Sequence, residues 1–144
     1  MNLSRRLFLG GAIATVGASI VPAFASVPTI YGDGIHDDWA GIDALWRGKP
    51  ARILNDAVSV RPDGLVEMVG GQFRVSKTLH MLRDGPKVHL IKTHLTWIAP
   101  VEYCIFVEAE QTFTFNGGGS VIDGSGHAVC GLHIDTPHGF ANRT

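Results

Sequence analysis

Charge is scarce in this chain: Asp, Glu, Lys and Arg make up only 17% of its 144 residues, and the formal net charge is −1. There is no run of Lys or Arg beyond a single pair, and no basic helix, which argues against nucleic acid as a partner. One uncharged apolar run stands out, Leu7 to Val21, and its Gly and Ala content leaves it too short and too weakly apolar for a membrane span. Cysteine is limited to Cys104 and Cys130, so no thiolate cluster is available for a structural zinc. Helical periodicity is absent after residue 64. Glycine is plentiful instead, at 18 residues, and many glycines with few charges suit a compact β-rich protein better than a helical one.

The apolar run is flanked on both sides by sorting signals. Ser4-Arg5-Arg6-Leu7-Phe8-Leu9 sets an arginine pair directly ahead of it, the arrangement read by the twin-arginine export route. Pro22 ends the run, and Ala23-Phe24-Ala25 supplies the small-x-small pattern of a signal peptidase site, so cleavage is expected after Ala25. Arg5 and Arg6 are then the export signal, and Ala23 and Ala25 mark the cleavage site. The twin-arginine translocase is the partner during export, and the location is periplasmic or secreted. Three segments follow: a signal peptide over 1–25, an N-terminal loop and capping helix over 26–64, and β structure over 65–144. An extracytoplasmic setting permits a disulfide, whereas folding before export keeps thiols reduced. Both cysteines lie in apolar runs, where cysteine packs as a small hydrophobe. Buried free thiols and a single bridge both remain open.

Pro28, Gly32 and Gly34 make residues 26–37 read as loop. A short amphipathic helix is expected from Asp38 to Arg47, with Asp37 or Asp38 accepting backbone N–H bonds at its N-terminus. Trp39, Ile42, Leu45 and Trp46 form its apolar face, and Gly48 and Pro50 stop it. Val58 and Val60 hint at a strand before the turn Pro62-Asp63-Gly64. From Leu65 onward, apolar residues alternate in short bursts: Phe73/Val75, Leu79/Met81, Val88/Leu90, Leu95/Trp97, Ile105/Val107, Phe113/Phe115 and Leu132/Ile134. Period two points these inward and Arg74, His80, His89, His94, Thr96, Thr114 and His133 outward. An antiparallel sandwich fits this pattern, and so does a solenoid of short strands. No clean repeat is visible. The spacing of Cys104 and Cys130 is about one coil, which would stack their Cα atoms ~5 Å apart on neighbouring strands.

Tyr31-Gly32-Asp33-Gly34-Ile35-His36-Asp37-Asp38-Trp39-Ala40-Gly41-Ile42 resembles the opening of the pectate-lyase-like proteins, with Gly41 where the family often has Ala. That superfamily includes rhamnogalacturonase/epimerase-like proteins and polygalacturonases. The stretch from Val66 to Leu79, with Gly70-Gly71 and Phe73-Arg74-Val75, is similar to the family's next element. Gly117-Gly118-Gly119-Ser120-Val121-Ile122-Asp123-Gly124-Ser125-Gly126 is similar to its glycine-rich segment. The resemblance implies a mainly β, right-handed parallel β-helix of a few coils, plugged at one end by the N-terminal amphipathic helix. It also implies an ancestral role in cleaving or binding an acidic polysaccharide. The expectation is the N-terminal part of a polysaccharide-degrading enzyme, glycosidase or lyase. The alternative is a noncatalytic envelope module that binds glycan or self-associates through an open solenoid end. The family's catalytic motifs come from later coils and do not occur before Thr144, so no catalytic residue is assigned and enzymatic status stays open.

Asp33, Asp37 and Asp38 resemble a calcium loop at first sight, but the remaining oxygen ligands and the closing glutamate are missing; a turn and a helix cap are expected instead. No two of the strand histidines share helical spacing, so no metal or cofactor is expected. His133 and Asp135 share one face of a strand and form the best acid/base or saccharide-contact pair in the sequence. Asp123 is expected to be a turn residue, and the glycines at 117–119 a turn between coils.

Overall fold

A computed structural model describes residues 27–108 and 119–135. Arg5, Arg6, Ala23, Ala25, Phe113, Thr114, Phe115, Gly117 and Gly118 lie outside the described residues. Short strands dominate: β1 (Thr29–Ile30), β2 (Asp33–Asp37), β3 (Arg52–Ile53), β4 (Val58–Val60), β5 (Val66–Val69), β6 (Gln72–Val75), β7 (Leu79–Met81), β8 (Val88–Ile91), β9 (His94–Trp97), β10 (Val101–Val107), β11 (Val121–Asp123) and β12 (Ala128–Ile134). Among the described residues there is one helix, α1 (Trp39–Trp46), between β2 and β3.

The strands stack as a β-solenoid of about four turns. Three sheets run along it, in the orders β4-β5-β8, β2-β6-β9-β11 and β7-β10-β12, with β1-β3 as a small pair beside them. Among the described residues every pairing is parallel except β4 with β5, which rules out the antiparallel sandwich. Each full coil contributes one strand to each sheet, β5-β6-β7 and then β8-β9-β10.

Alternation explains why these segments stack. Within a strand, side chains face opposite sides, so every second residue enters the interior. Register then sets like on like between coils: Val66 on Val88, Met68 on Leu90, Phe73 on Leu95, Val75 on Trp97, Leu79 on Ile105 and Met81 on Val107. All twelve are buried. Burying an aliphatic or aromatic side chain contributes about 1.5–3 kcal/mol, so these columns dominate the stability of the fold. The inward set expected from the sequence is confirmed across β6 to β10. It weakens in β12, where Leu132 is half-buried and Ile134 is 55% exposed.

Residues 29–37 differ from the expected loop, because β1 and β2 form there. β2 pairs with β6 through Asp33–Gln72 and Asp37–Arg74, with a register shift between them. That bulge breaks the alternation and hides the strand in the sequence. α1 covers the β7 end of the interior, with Ile42, Leu45 and Trp46 buried. It stops at a Schellman turn: Gly48 N–H donates to the Leu45 carbonyl (3.0 Å) and Lys49 N–H to that of Ala44 (2.8 Å). Gly48 holds φ at +73° for this purpose.

Gly41 sets how closely the helix can approach β1. A Cβ at this position would collide with the Ile30 side chain and lie 2.9 Å from the Thr29 backbone carbonyl. Propensity alone would favour alanine by roughly 1 kcal/mol. The backbone of Thr29 cannot yield as a side chain would, so overpacking should win. We predict that Gly41→Ala lowers stability by about 1–3 kcal/mol, read from the denaturant midpoint; a rise in that midpoint would refute the close-packing account.

The cysteines are not stacked as their spacing suggested. Cys130 is the register partner of Tyr103, one residue out of phase with Cys104. Cys104 is buried, Cys130 is half-buried, and both are free thiols. Burial pushes the Cys104 thiol up to about 11, consistent with an inert core residue.

Candidate functional site

Three outer surfaces carry polar or aromatic side chains, one on each large sheet. The first is the outer face of β2-β6-β9-β11. Here register aligns Gln72 with His94 and Val121, and Arg74 with Thr96 and Asp123. A shallow hollow of about 430 Å³ lies along this face, lined by Gln72, Arg74, His94, Thr96, Ser125 and His127 among others. Ser125 and His127 enter from the turn between β11 and β12, which is closed by a His127 N–H bond to the Gly124 carbonyl (2.7 Å). Arg74 is steadied by one bond, Nη1 to the Ile35 carbonyl at 3.2 Å, which leaves other donors of its guanidinium fork facing outward.

The carboxylates of this face sit at its margins and are engaged. Asp123 Oδ1 accepts the Ser125 N–H at 2.8 Å, and its Oδ2 lies 3.9 Å from His94 Nε2. The Ser125 backbone bond holds the Asp123 carboxyl below its ordinary value, assisted by the nearby imidazole. Asp33 Oδ1 accepts the N–H groups of Ile35 and His36 at 2.9 and 3.0 Å, and its Oδ2 lies 2.7 Å from His36 Nδ1. The His36 backbone bond is the main reason its pKa falls to about 2. Tyr31 stacks on the His36 ring at 4.2 Å.

Asp37 and Asp38 divide the labour that the sequence left shared between them. Asp37 Oδ1 caps α1 through the Trp39 N–H at 3.0 Å and also accepts the Ser76 N–H at 3.2 Å. Asp38 makes no side-chain cap bond. Its buried carboxylate turns back to the Tyr31 N–H at 2.6 Å and the Gly32 N–H at 3.2 Å. The three aspartates are turn and cap residues, as expected.

The second surface is the β7-β10-β12 face. Alternation breaks at Cys104 and Ile105, which are both buried, and Tyr103 and Phe106 lie together outside. His133 stacks on Tyr103 at 4.4 Å and on Phe106 at 5.2 Å, while His80 tilts against Phe106 at 5.8 Å. These rings form a ladder across three strands. The His133 ring is thus taken up in stacking, and the Asp135 N–H bonds to the Val107 carbonyl at 2.9 Å beyond the end of β12. His133 of the acid/base pair expected from the sequence thus lies within this ladder, and Asp135 directly follows β12. The third surface is the β4-β5-β8 side, where a larger hollow of about 1180 Å³ places Lys49 and Lys87 beside Asp63 and Asp84. Charges of both signs give it no field of one sign.

The outward histidines therefore spread over three faces: His94 on the first, His80 and His133 on the second, His89 on the third. Among the described residues, no group of three or more His, Cys, Asp or Glu is arranged to hold a metal ion. Asp123 is a turn residue at the end of β11, as expected. The sequence named Arg74, His94 and Thr96 as outward but did not join them, and it missed Gln72, Ser125 and His127 as neighbours. The signal was the common offset of 22 residues from Gln72 to His94 and from Arg74 to Thr96.

Comparison with known proteins found no family model, no curated protein and no solved structure that matches this chain. What stands of the resemblance is its coarser part: the described residues form a β-solenoid with one short helix, α1.

Proposed function

We propose that this chain is an exported glycan-binding solenoid that holds an acidic polysaccharide in the polar groove on the β2-β6-β9-β11 face, without cleaving it. One observation carries the reading. The groove is lined by an outward guanidinium, neutral hydrogen-bonding groups and imidazoles, and among the described residues no Asp or Glu is in its lining. Arg74 suits a uronate carboxylate through a planar fork. Gln72, Thr96 and Ser125 suit sugar hydroxyls. Strands about 4.8 Å apart offer such groups at the spacing of successive sugar units. Glycoside hydrolysis by the common route uses two carboxyl groups facing each other across the bond, and their absence from this lining among the described residues supports binding over hydrolysis. The export address at Arg5-Arg6 is consistent with a glycan outside the cytoplasm.

Retention of the purified protein on immobilised polygalacturonate tests the reading. The chain should be retained, and Arg74→Gln should weaken retention by about tenfold, the scale of one lost charge-assisted bond. The same incubation should release neither unsaturated uronates nor new reducing ends. Failure to be retained would overturn the binding reading, and product release would overturn its noncatalytic part.

A further inference from the structure

We propose that the groove is proton-gated: His94 and His127 raise its affinity for a uronate polymer as pH falls from about 8 to about 5.5. The inference rests on the glycan-binding reading and adds regulation to the same site. Its basis is the make-up of the lining, in which, among the described residues, Arg74 is the one permanent cation and the other ionisable side chains are the two imidazoles. An imidazole changes charge between about pH 5 and 8. The carboxylates of a polyuronate stay ionised across that range. Acidification therefore changes the protein side of the complex and leaves the ligand charged. One positive charge becomes as many as three along a single face.

The surroundings allow this gain. His94 is faced across β6 by the neutral Gln72 at its register position, with Arg74 diagonal to it. On β11 its register position is Val121, with Asp123 diagonal to it; His94 Nε2 lies 3.9 Å from Asp123 Oδ2, and this buried ring nitrogen has no hydrogen-bond partner. Asp123 stays ionised throughout, so it tempers the field of a protonated His94 without changing with pH. His127 sits on the turn beside Ser125, and its carbonyl accepts the Val101 N–H at 3.0 Å. On β10, the neighbouring Glu102 is directed to the Tyr103 hydroxyl, whose pKa it raises by that bond. On β2, Asp33 and His36 are paired with each other at 2.7 Å.

The experiment measures Kd for polygalacturonate at pH 5.5 and pH 8 at one ionic strength, for the purified protein and three variants. The parent should bind about tenfold more tightly at pH 5.5. His94→Gln with His127→Gln should bind at pH 5.5 as the parent does at pH 8. Arg74→Gln should bind more weakly at both pH values yet keep the slope. His89→Gln with His133→Gln, on the other two faces, should leave the slope unchanged. A parent that binds equally at both pH values, or a slope that survives loss of His94 and His127, overturns the gating and leaves the binding reading standing. Absence of binding at both pH values overturns both readings. Circular dichroism of each variant should match the parent; if the His94→Gln/His127→Gln chain misfolds, His127→Gln alone, on an exposed turn, should remove part of the slope, and an unchanged slope there counts against the proposal.

Discussion

Replacing Trp97 by alanine should cost about 3–5 kcal/mol, a large share of the 5–15 kcal/mol that holds a domain folded. Trp97 has no exposed surface, stands inward on β9 opposite Val75, and donates its indole N–H to the Lys77 carbonyl at 3.1 Å. Truncation would empty the middle of the solenoid and leave that carbonyl without its donor. Trp97→Phe keeps most of the volume and loses only the polar tip, so it should cost about 1–2 kcal/mol. Guanidinium unfolding of the two variants separates packing from hydrogen bonding. Equal losses in both would mean that the indole N–H, and not the filled volume, carries the stability.

Asp38→Ala should be nearly as damaging, at roughly 2–4 kcal/mol, because it strips the acceptor from two backbone N–H groups at about 1–3 kcal/mol for each buried donor left unpaired. Asp38→Asn keeps a carbonyl for those donors and removes a buried charge, so its loss at neutral pH should be much smaller. The pH dependence has a definite sign. Burial raises the Asp38 carboxyl above its ordinary value, the Tyr31 and Gly32 bonds opposing it. A raised folded pKa means that the stabilising contribution of Asp38 is full below its unfolded pKa and is lost as pH rises through the folded value. Asp33, lowered to about 2, acts in the opposite sense: its contribution is present above the unfolded value of 3.8 and is lost as pH falls through about 2. Through the Asp38 contribution, melting temperature should therefore rise as pH falls toward the ordinary carboxyl value of 3.8, and it should drop below that as Asp33 is protonated. Asp38→Asn should flatten the first limb alone. A first limb unchanged in Asp38→Asn would show that another group sets it.

Much of the interior was legible because period two survives in short strands. Phe73/Val75 and Leu95/Trp97 could be placed inward without knowing their partners. The coil could not be read in the same way, because its length changes. Val66 to Val88 is a step of 22 residues, Leu79 to Ile105 one of 26, and Val101 to Ala128 one of 27. A search for one fixed period fails on such a series, and Cys104 to Cys130, apparently one coil, falls out of phase by a residue. The groove stayed hidden for a related reason. Arg74 and Thr96 are unremarkable outward residues until register sets them side by side. Asp37 and Asp38 could not be told apart, since either can reach a first-turn N–H and only the fold of the Tyr31-Gly32 turn decides between them. Gly41 reads as a poor helix residue until the distance to Thr29 gives its reason.

The stacking order has a consequence for how injury spreads. In a solenoid each coil touches only its neighbours, so stability is approximately a sum of coil and interface contributions along one dimension. β9 is an inner member of its sheet, with β6 on one side and β11 on the other. β2 is a terminal member, with β6 alone beside it. A lesion at Trp97 weakens two junctions and divides the row, whereas one at the β2 end removes a single junction and leaves the rest of the row continuous.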